Sequence, residues 1–199
     1  MDTDDRLAAA LARDLDRSFD ALVVAHQDRL YTIALRMLRD PRDAEEAAQD
    51  AFVRAYRALA TYDAARIREL QVRGWLTTIV LNLCRTQGVR RAARGVPPMS
   101  IDDDARPPIE PAASAAQAPT EVAERHAERE RWAARLAELP PVYRAAVVLR
   151  HVDGLSYPEA AAALGRPEGT VKAQVHRGIG LLRTMLEADA RHELEEMTA

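Results

Sequence analysis

Apolar residues recur along this chain at intervals of three and four, the spacing that lines one face of an α-helix. Phe19, Leu22, Val23, Leu30, Ile33, Ala34, Met37 and Leu38 form the first long run, and Asp40-Pro41 stops it. A second helix is predicted from Pro41–Asp43 to about Leu59, with Ala44, Ala48, Ala51, Phe52, Ala55 and Leu59 on one face. After Thr61-Tyr62-Asp63 the pattern lapses. It returns over roughly Val72–Thr86, anchored by Trp75, Leu76, Ile79, Val80 and Leu83, and Gly88 is placed to end or interrupt that helix. From Thr120 a helical pattern resumes through Trp132, Ala133, Leu136 and Leu139. Pro140-Pro141 breaks it, and Val142–Val152 reads as a short apolar helix. Strand-like alternation of any length is missing, so the expected fold is all-α.

Between the two helical stretches the chain changes character. Residues 95–120 hold Gly95, five prolines from Pro97 to Pro111, a run of three Asp at 102–104, then Ala and Ser. Such a segment cannot bury enough surface to fold alone. Two helical domains, 1–94 and 121–199, are therefore expected, joined by a flexible acidic Pro/Ala-rich linker at 95–120.

The most specific local pattern lies in Leu155–Leu182. Ser156 is a good N-cap, Glu159 three residues on completes a capping box, and Pro158 sits in the first turn, where its missing N–H costs little. The Ala160–Ala163 run allows close helix approach, and Gly165 permits the left-handed backbone that ends a helix. Arg166-Pro-Glu-Gly169 turns the chain, with Thr170 placed to cap the next helix. There Val171, Val175, Ile179 and Leu182 form a stripe. Thr170, Ala173, Gln174, His176 and Arg177 fall on or beside the opposite face, with Lys172 on its flank. This is a C-terminal helix-turn-helix, whose polar face suits phosphates and base edges in a major groove.

Charge at first argues against nucleic acid, because the net charge is −3. The charge is segregated, however. Residues 73–100 carry five Arg and no acid, whereas 101–130 carry three Arg and eight acids. Four of those arginines, Arg85, Arg90, Arg91 and Arg94, fall within ten residues. A basic patch and an acidic segment thus share one molecule. With so little overall positive charge, tight DNA binding by the chain alone is not expected, since phosphate neutralisation dominates affinity.

Other chemistry is sparse. The single cysteine, Cys84, lies among Val80, Leu81 and Leu83 as a core thiol would, and rules out an internal disulfide. The five histidines show no metal-ligand spacing, and neither a catalytic set nor a cofactor-binding motif is visible. The N-terminus is acidic rather than a basic–apolar signal, and no apolar run approaches a membrane span. A cytoplasmic protein without enzymatic activity, cofactor or membrane insertion is expected.

Three ordered motifs carry a family resemblance. The run Asp43–Tyr56, DAEEAAQDAFVRAY, sets Asp43, Glu46, Asp50, Arg54 and Arg57 opposite the apolar stripe, with Gln49 at the edge. It is similar to the polymerase-binding helix of bacterial extracytoplasmic-function sigma factors, whose pattern is close to D-A-E-D-x-x-Q-[ED]-x-F-x-x-[AV]-[WY]. The W-L-x-x-I-x-x-N of Trp75, Leu76, Ile79 and Asn82 resembles the segment that melts and reads the −10 element. Leu139, Pro140 and Arg144 of L-P-x-x-x-R, with the helix-turn-helix and its G-T-V-K-x-x-x-H-R, resemble the −35-reading domain. The chain departs from the family at Thr86 (usually Asp), at Gly88, at Gln174 (frequently Arg) and in a longer Tyr56–Trp75 loop.

The resemblance implies a sigma factor that binds core RNA polymerase and directs promoter-specific initiation. By it, Asp43, Glu46, Gln49, Asp50 and Arg54 would meet core polymerase. Asn82, Arg85, Arg90 and Arg91 would meet the opened −10 strand, where stacking and Arg–phosphate contacts favour single-stranded DNA. Trp75 would either join them or serve the core, its spacing fitting both. Thr170, Lys172, Gln174, His176 and Arg177 would meet the −35 duplex. Core RNA polymerase and promoter DNA are the implied partners, and an anti-sigma factor is a further family expectation. Two other readings compete. A response regulator would share the helix-turn-helix but requires strands in its N-terminal half, and a helical adaptor would leave the arginine cluster without a role.

Overall fold

Asp14 opens the first long helix. The computed structural model describes residues 3–93 and 130–198, except the side chains of 91–93, 192–194 and 196–198. The expected linker and the resumption of the helical pattern at Thr120 lie outside the described residues. Helix α2 (Leu15–Leu38) is capped by the Asp14 carboxylate, which accepts from the Arg17 amide at 3.1 Å. It ends at Arg39, a non-glycine residue held left-handed (φ 64°) by its N–H donating to Leu35 O. Asp40 then caps α3 (Pro41–Leu59), accepting from the amides of Arg42 and Asp43. The cap, the proline in the first turn and the reversal at Arg39 fold α3 back onto α2.

The buried face of α3 is nearly all alanine: Ala44, Ala47, Ala51 and Ala55 have no exposed surface. Small side chains let α3 lie close against both α2 and α5. Leucines from α2 and α5 fill the remaining space, with Leu22, Leu30, Leu76 and Leu81 fully buried. Each such side chain contributes about 1.5–3 kcal/mol relative to an exposed one.

Three features of the N-terminal half were not legible in the apolar pattern. Helix α1 (Thr3–Leu11) precedes the first predicted run and buries Ala8 and Leu11 against α2, α4 and α5. Where the pattern lapses, Asp63 caps a short helix, α4 (Ala64–Arg68), that buries Ile67. Helix α5 (Val72–Ala93) also passes straight through Gly88. A mid-helix glycine costs only about 1 kcal/mol against alanine, too little to break a run of good helix formers on both sides.

The C-terminal half begins, among the described residues, with helix α6 over 130–138. Helix α7 (Pro141–Val147) continues into a π-wound turn at Val148–Val152 instead of the regular helix expected there. Asp153 N–H donates to Val148 O at 2.8 Å and Leu155 N–H to Leu149 O at 2.9 Å, and Gly154 takes φ +74°. That wide turn brings the Asp153 side chain inward. Helix α8 (Tyr157–Leu164) has the expected capping box between Ser156 and Glu159, and Gly165 ends it at φ 64°. Helix α9 (Glu168–Thr198) starts two residues before the cap expected at Thr170. The Val171 amide already donates to Pro167 O, so Thr170 lies inside the first turn rather than capping it.

Helix α8 packs on α5, and α7 with the π turn packs on α2. Arg144 is buried at this seam. It donates to Leu139 O (2.9 Å) and Ala137 O at the end of α6, and to Met37 O (3.0 Å) at the end of α2. One guanidinium thereby satisfies orphan carbonyls of two helix C-termini. Burial, with the nearby charge of Arg39, lowers its pKa to about 10, so it stays charged at neutral pH.

Gly178 is where α9 touches α7. A Cβ there would lie 2.6 Å from Val147 Cγ2, a stiff β-branched side chain that is itself buried. Gly180, two residues on and on the other side of the helix, faces open space. Gly178→Ala is expected to destabilise by about 1–3 kcal/mol through overpacking. Gly180→Ala is expected to stabilise by up to about 1 kcal/mol through helix propensity. Thermal unfolding of the two variants should therefore move in opposite directions.

His26 provides a second stability test. Its ring is buried beneath α1, with neither nitrogen hydrogen-bonded and Asp4 Oδ1 3.5 Å away. Burial lowers its pKa below 6.5, Arg29 and Arg73 push the same way, and Asp4 and Asp153 oppose them. As pH falls below 6.5 the unfolded chain takes up a proton that the fold resists, so stability declines until the lowered folded value is passed. Denaturant titrations from about pH 7 to about pH 5 should show that decline, and His26→Leu should make it shallower.

Candidate functional site: a docking helix and two DNA-facing surfaces

The outer face of α3 is what its alanine face leaves over. Glu46, Gln49, Asp50 and Arg54 are exposed and Asp43 is half-buried in the first turn. Gln49 Nε2 donates to Glu45 Oε1 at 3.3 Å. At its end, Tyr56 packs edge-on against Phe19 (5.1 Å between ring centres), and its hydroxyl donates to Asp16 at 2.5 Å. These contacts fix the end of α3 on α2, so the polar face is rigid and open to solvent.

On α5, Asn82 and Arg85 lie together on one face, with Arg90 about two turns farther on. Trp75 and Asn82 are seven residues apart, two helical turns, and Arg85 Nη1 donates to Asn82 Oδ1 at 3.3 Å. Asn82, Arg85 and Arg90 are exposed, and Arg91 falls among residues whose side chains are not described. Thr86 turns its hydroxyl back to Asn82 O at 2.9 Å, leaving the face neutral where the family pattern carries Asp. Trp75 is half-buried against the core and tilts toward Tyr62 at 6.3 Å. The Arg66 guanidinium lies 3.8 Å over the Tyr62 ring. Helix α4 thus adds an aromatic and cationic ledge that the sequence pattern did not reveal; Asp63 as a cap was its one signal.

On α9 the stripe behaves as expected. Val171, Val175 and Leu182 are buried and Ile179 is partly so. Thr170, Lys172, Ala173, His176 and Arg177 are exposed. Gln174 differs: it is half-buried and its amide oxygen is buried without a hydrogen-bond partner. Period alone put it at the edge of the polar face, and the packing of the helix turned that edge inward. Lys172 pairs with Glu168 at 2.8 Å, which raises its pKa. Lys172 and Arg150 also both lie within 5.4 Å of the Tyr157 ring centre, joining α8 to α9 and to the π turn. Cys84 is buried, and burial pushes its thiol up to about 12, as suits an inert core residue.

Residues 22–95 match the Sigma-70 region 2 family and residues 129–182 match Sigma-70, region 4. The chain is 34% identical over 183 residues to the ECF RNA polymerase sigma factor SigM of Mycobacterium tuberculosis, covering 90% of this chain and 82% of that one. The chain belongs to the extracytoplasmic-function sigma factors. It is also 34% identical to the RNA polymerase sigma-E factor of Streptomyces coelicolor, covering 87% of this chain and 90% of that one. A 35% match to the ECF sigma factor SigE of Mycolicibacterium smegmatis covers 89% of this chain but spans only 64% of that relative. Among solved structures, CnrH in complex with the cytosolic domain of CnrY is similar with a TM-score of 0.66 and 31% identity, over 94% of this chain and 99% of that one.

Within this sigma factor the region 2 match takes in α2 to α5, and the region 4 match takes in α6 to the first half of α9. Helix α1 lies outside both. The described residues contain no strand, which removes the receiver-domain alternative.

Exposure separates surface from core on α3. Asp50→Arg should change folding stability by no more than about 0.5 kcal/mol, as is usual for an exposed position. Phe52→Ala, two residues on at a buried position, should cost about 3–5 kcal/mol through the cavity it leaves. Chemical denaturation of the two variants measures both values.

Proposed function

We propose that this chain docks on core RNA polymerase through α3 and directs promoter-specific initiation by reading a −10 element with α5 and a −35 element with α9. The observation that carries this reading is the pair of separate exposed surfaces, each lying within the matched sigma region expected to hold it. In the proposed division, residues 1–94 bind core polymerase and melt and read the −10 element. Residues 95–120 are the linker, and residues 121–199 read the −35 element. Asp43, Glu46, Gln49, Asp50 and Arg54 form the docking face. Asn82, Arg85, Arg90 and Arg91, beside the Trp75–Tyr62–Arg66 ledge, face the opened strand, where bases stack and phosphates pair with arginine. Thr170, Lys172, His176 and Arg177 face the upstream duplex, with Gln174 at the margin.

The net charge of −3 supports dependence on polymerase, since phosphate neutralisation supplies most nonspecific affinity. Tethering two weak readers to polymerase raises their effective concentration at one promoter. The protein contributes binding rather than chemistry, acts in the cytoplasm where polymerase and DNA are found, and needs no cofactor. CnrH is solved bound to the cytosolic domain of CnrY, and the sigma factor RpoE of Bartonella quintana to the anti-sigma factor NepR; an anti-sigma factor is the further partner proposed for this chain.

Run-off transcription with bacterial core polymerase tests the reading, with a promoter-dependent transcript as the expected result. Asp50→Arg should weaken core binding by several kcal/mol, on the order of a like-charge penalty at a matched interface. Arg177→Ala should leave core binding intact and lower promoter binding by the holoenzyme. The loss is about 1–3 kcal/mol if a base contact is removed, whereas a lost phosphate contact shows as a flatter salt dependence. An upstream footprint untouched by Arg177→Ala and Lys172→Ala together would reassign the reading helix.

A further inference from the structure

The proposed docking and reading surfaces make no use of helix α1. It lies outside both matched sigma regions and packs on α2, α4 and α5. Its buried residues are Ala8 and Leu11, and Asp4 Oδ1 in its first turn stands 3.5 Å from His26 Nε2 on α2. The bend into α2 is closed by backbone hydrogen bonds from Ala12 to Ala8 O and from Arg13 and Asp14 to Ala10 O. Helix α1 is thus fixed on α2 at both ends, and it offers α4 a firm support.

The aromatic and cationic ledge beside α5 is assembled from the ends of three helices. Tyr62 follows α3, its amide donating to Leu59 O at 3.1 Å. Trp75 stands in the first turn of α5, its amide donating to Gln71 O at 2.9 Å. Arg66 comes from α4 and lies 3.8 Å over the Tyr62 ring. Helices α3 and α5 are long and have deep cores of their own. Helix α4 has five residues, too few to hold a helix in water unaided. An exposed cation–π contact is also too weak to fix it. Two contacts anchor it. The Asp63 carboxylate accepts from the Arg66 amide at 2.8 Å, and Ile67, its one buried residue, is 5% exposed. Among the described elements, α1 packs on α4 most extensively.

We propose that α1 braces the −10 surface: it seats Ile67, and Ile67 holds Arg66 over Tyr62 beside Trp75, where an unpaired base stacks. The inference rests on the sigma-factor reading for the base, while the brace rests on the packing. Ile67 is a positioning residue and touches no DNA. Arg66 and Ile67 are consecutive in the chain, so displacing one carries the other. A platform that is in place before the base arrives avoids the affinity lost when a loose segment is ordered on binding. Helix α4 also falls in the Tyr56–Trp75 loop, where the chain is longer than the family pattern, so the added length is used as a seated helix rather than as slack. Glu46, Gln49 and Asp50 lie more than about two turns before the end of α3, so loosening α4 leaves the docking face in place.

Two variants loosen α4 from different sides. Ile67→Ala empties the seat on α1, and Asp63→Ala removes the cap at an exposed position without touching the core. With Trp132→Phe as background, Trp75 is the one tryptophan left of two. Its emission should shift to the red in both variants as the half-buried ring gains water, with helix content by circular dichroism unchanged. Ile67→Val, which refills most of the seat, should restore the wild-type spectrum. Should Ile67→Ala lose helix content, Asp63→Ala carries the test. Reading is measured with holoenzyme formed on bacterial core polymerase and promoter templates premelted over the −10 element. The templates are intact or carry an abasic site at each non-template −10 position in turn. At the stacked position the abasic site should weaken wild-type binding about tenfold, within the range for one stacked base. Both variants should lose about tenfold on the intact template, bind that abasic template as the wild type does, and keep wild-type affinity for core polymerase. Equal losses on the two templates, or an unshifted Trp75 spectrum, would overturn the brace. A shifted spectrum with wild-type binding to the intact template would overturn its part in reading. A wild type that yields no promoter-dependent transcript would instead count against the sigma-factor reading, and the Trp75 spectra alone would then decide the brace.

Discussion

Close helix approach is the constraint from which the remaining structure follows. The chain has two Phe and two Trp, so large aromatic side chains cannot fill its core. Alanine faces therefore carry much of the packing: Ala44, Ala47, Ala51 and Ala55 on α3, Ala146 on α7 and Ala160 on α8 are fully buried. Helices packed on alanine sit near enough for leucines from the next layer to close the remaining gaps. Gly178 carries the same logic to its limit, since even a methyl group there would overlap Val147. A core of this kind is intolerant of added volume. It also leaves the opposite faces of α3, α5 and α9 free to carry charge, because none of their polar residues is needed to complete the interior.

Two buried charged groups sit where the packing leaves helix ends or turns unsatisfied. Arg144 occupies such a place, holding carbonyls from the ends of α2 and α6. Asp153 is brought inside by the π turn and is met by Arg29 and Arg73. Both seams join segments far apart in sequence, and both use arginine, whose planar donor fork can serve several acceptors at once. Apolar burial therefore sets which helices touch, and these arginines set how the two halves are oriented. That division matters for function, because a purely apolar seam would have no charged element for a partner to compete with.

Much of this was legible in the sequence, for reasons specific to each element. Helices α2, α3, α5 and α9 announce themselves through long apolar stripes, and α8 through the Ser156–Glu159 box and Gly165. Short elements were lost: α1 and α4 each bury only one or two residues, too few to show a period. Gly88 misled because a glycine is weighed locally while the helix is decided by its flanks. Thr170 misled because a good cap residue lay just inside a helix that Pro167 had already begun. For the candidate site, exposure of Asp50, Asn82 and Arg177 follows from period alone, whereas the half-burial of Gln174 depends on packing that period does not encode. The Arg29–Asp153 pair had no local signal, since nothing near either residue marks its partner.

The placement of charge then connects packing with the proposed activity. Arg73, Arg85, Arg90 and Arg91 of the basic run lie within α5, the same helix that packs against α8. The seam touches α5 directly, through Arg73 and Thr77 near its start. Asn82 and Arg85 lie on that helix, one to three turns farther along. A single helix thus carries both the seam and the proposed reading surface. Contact between the two halves needs no long pathway of intervening residues, only a helix with two faces and a charged contact near one end.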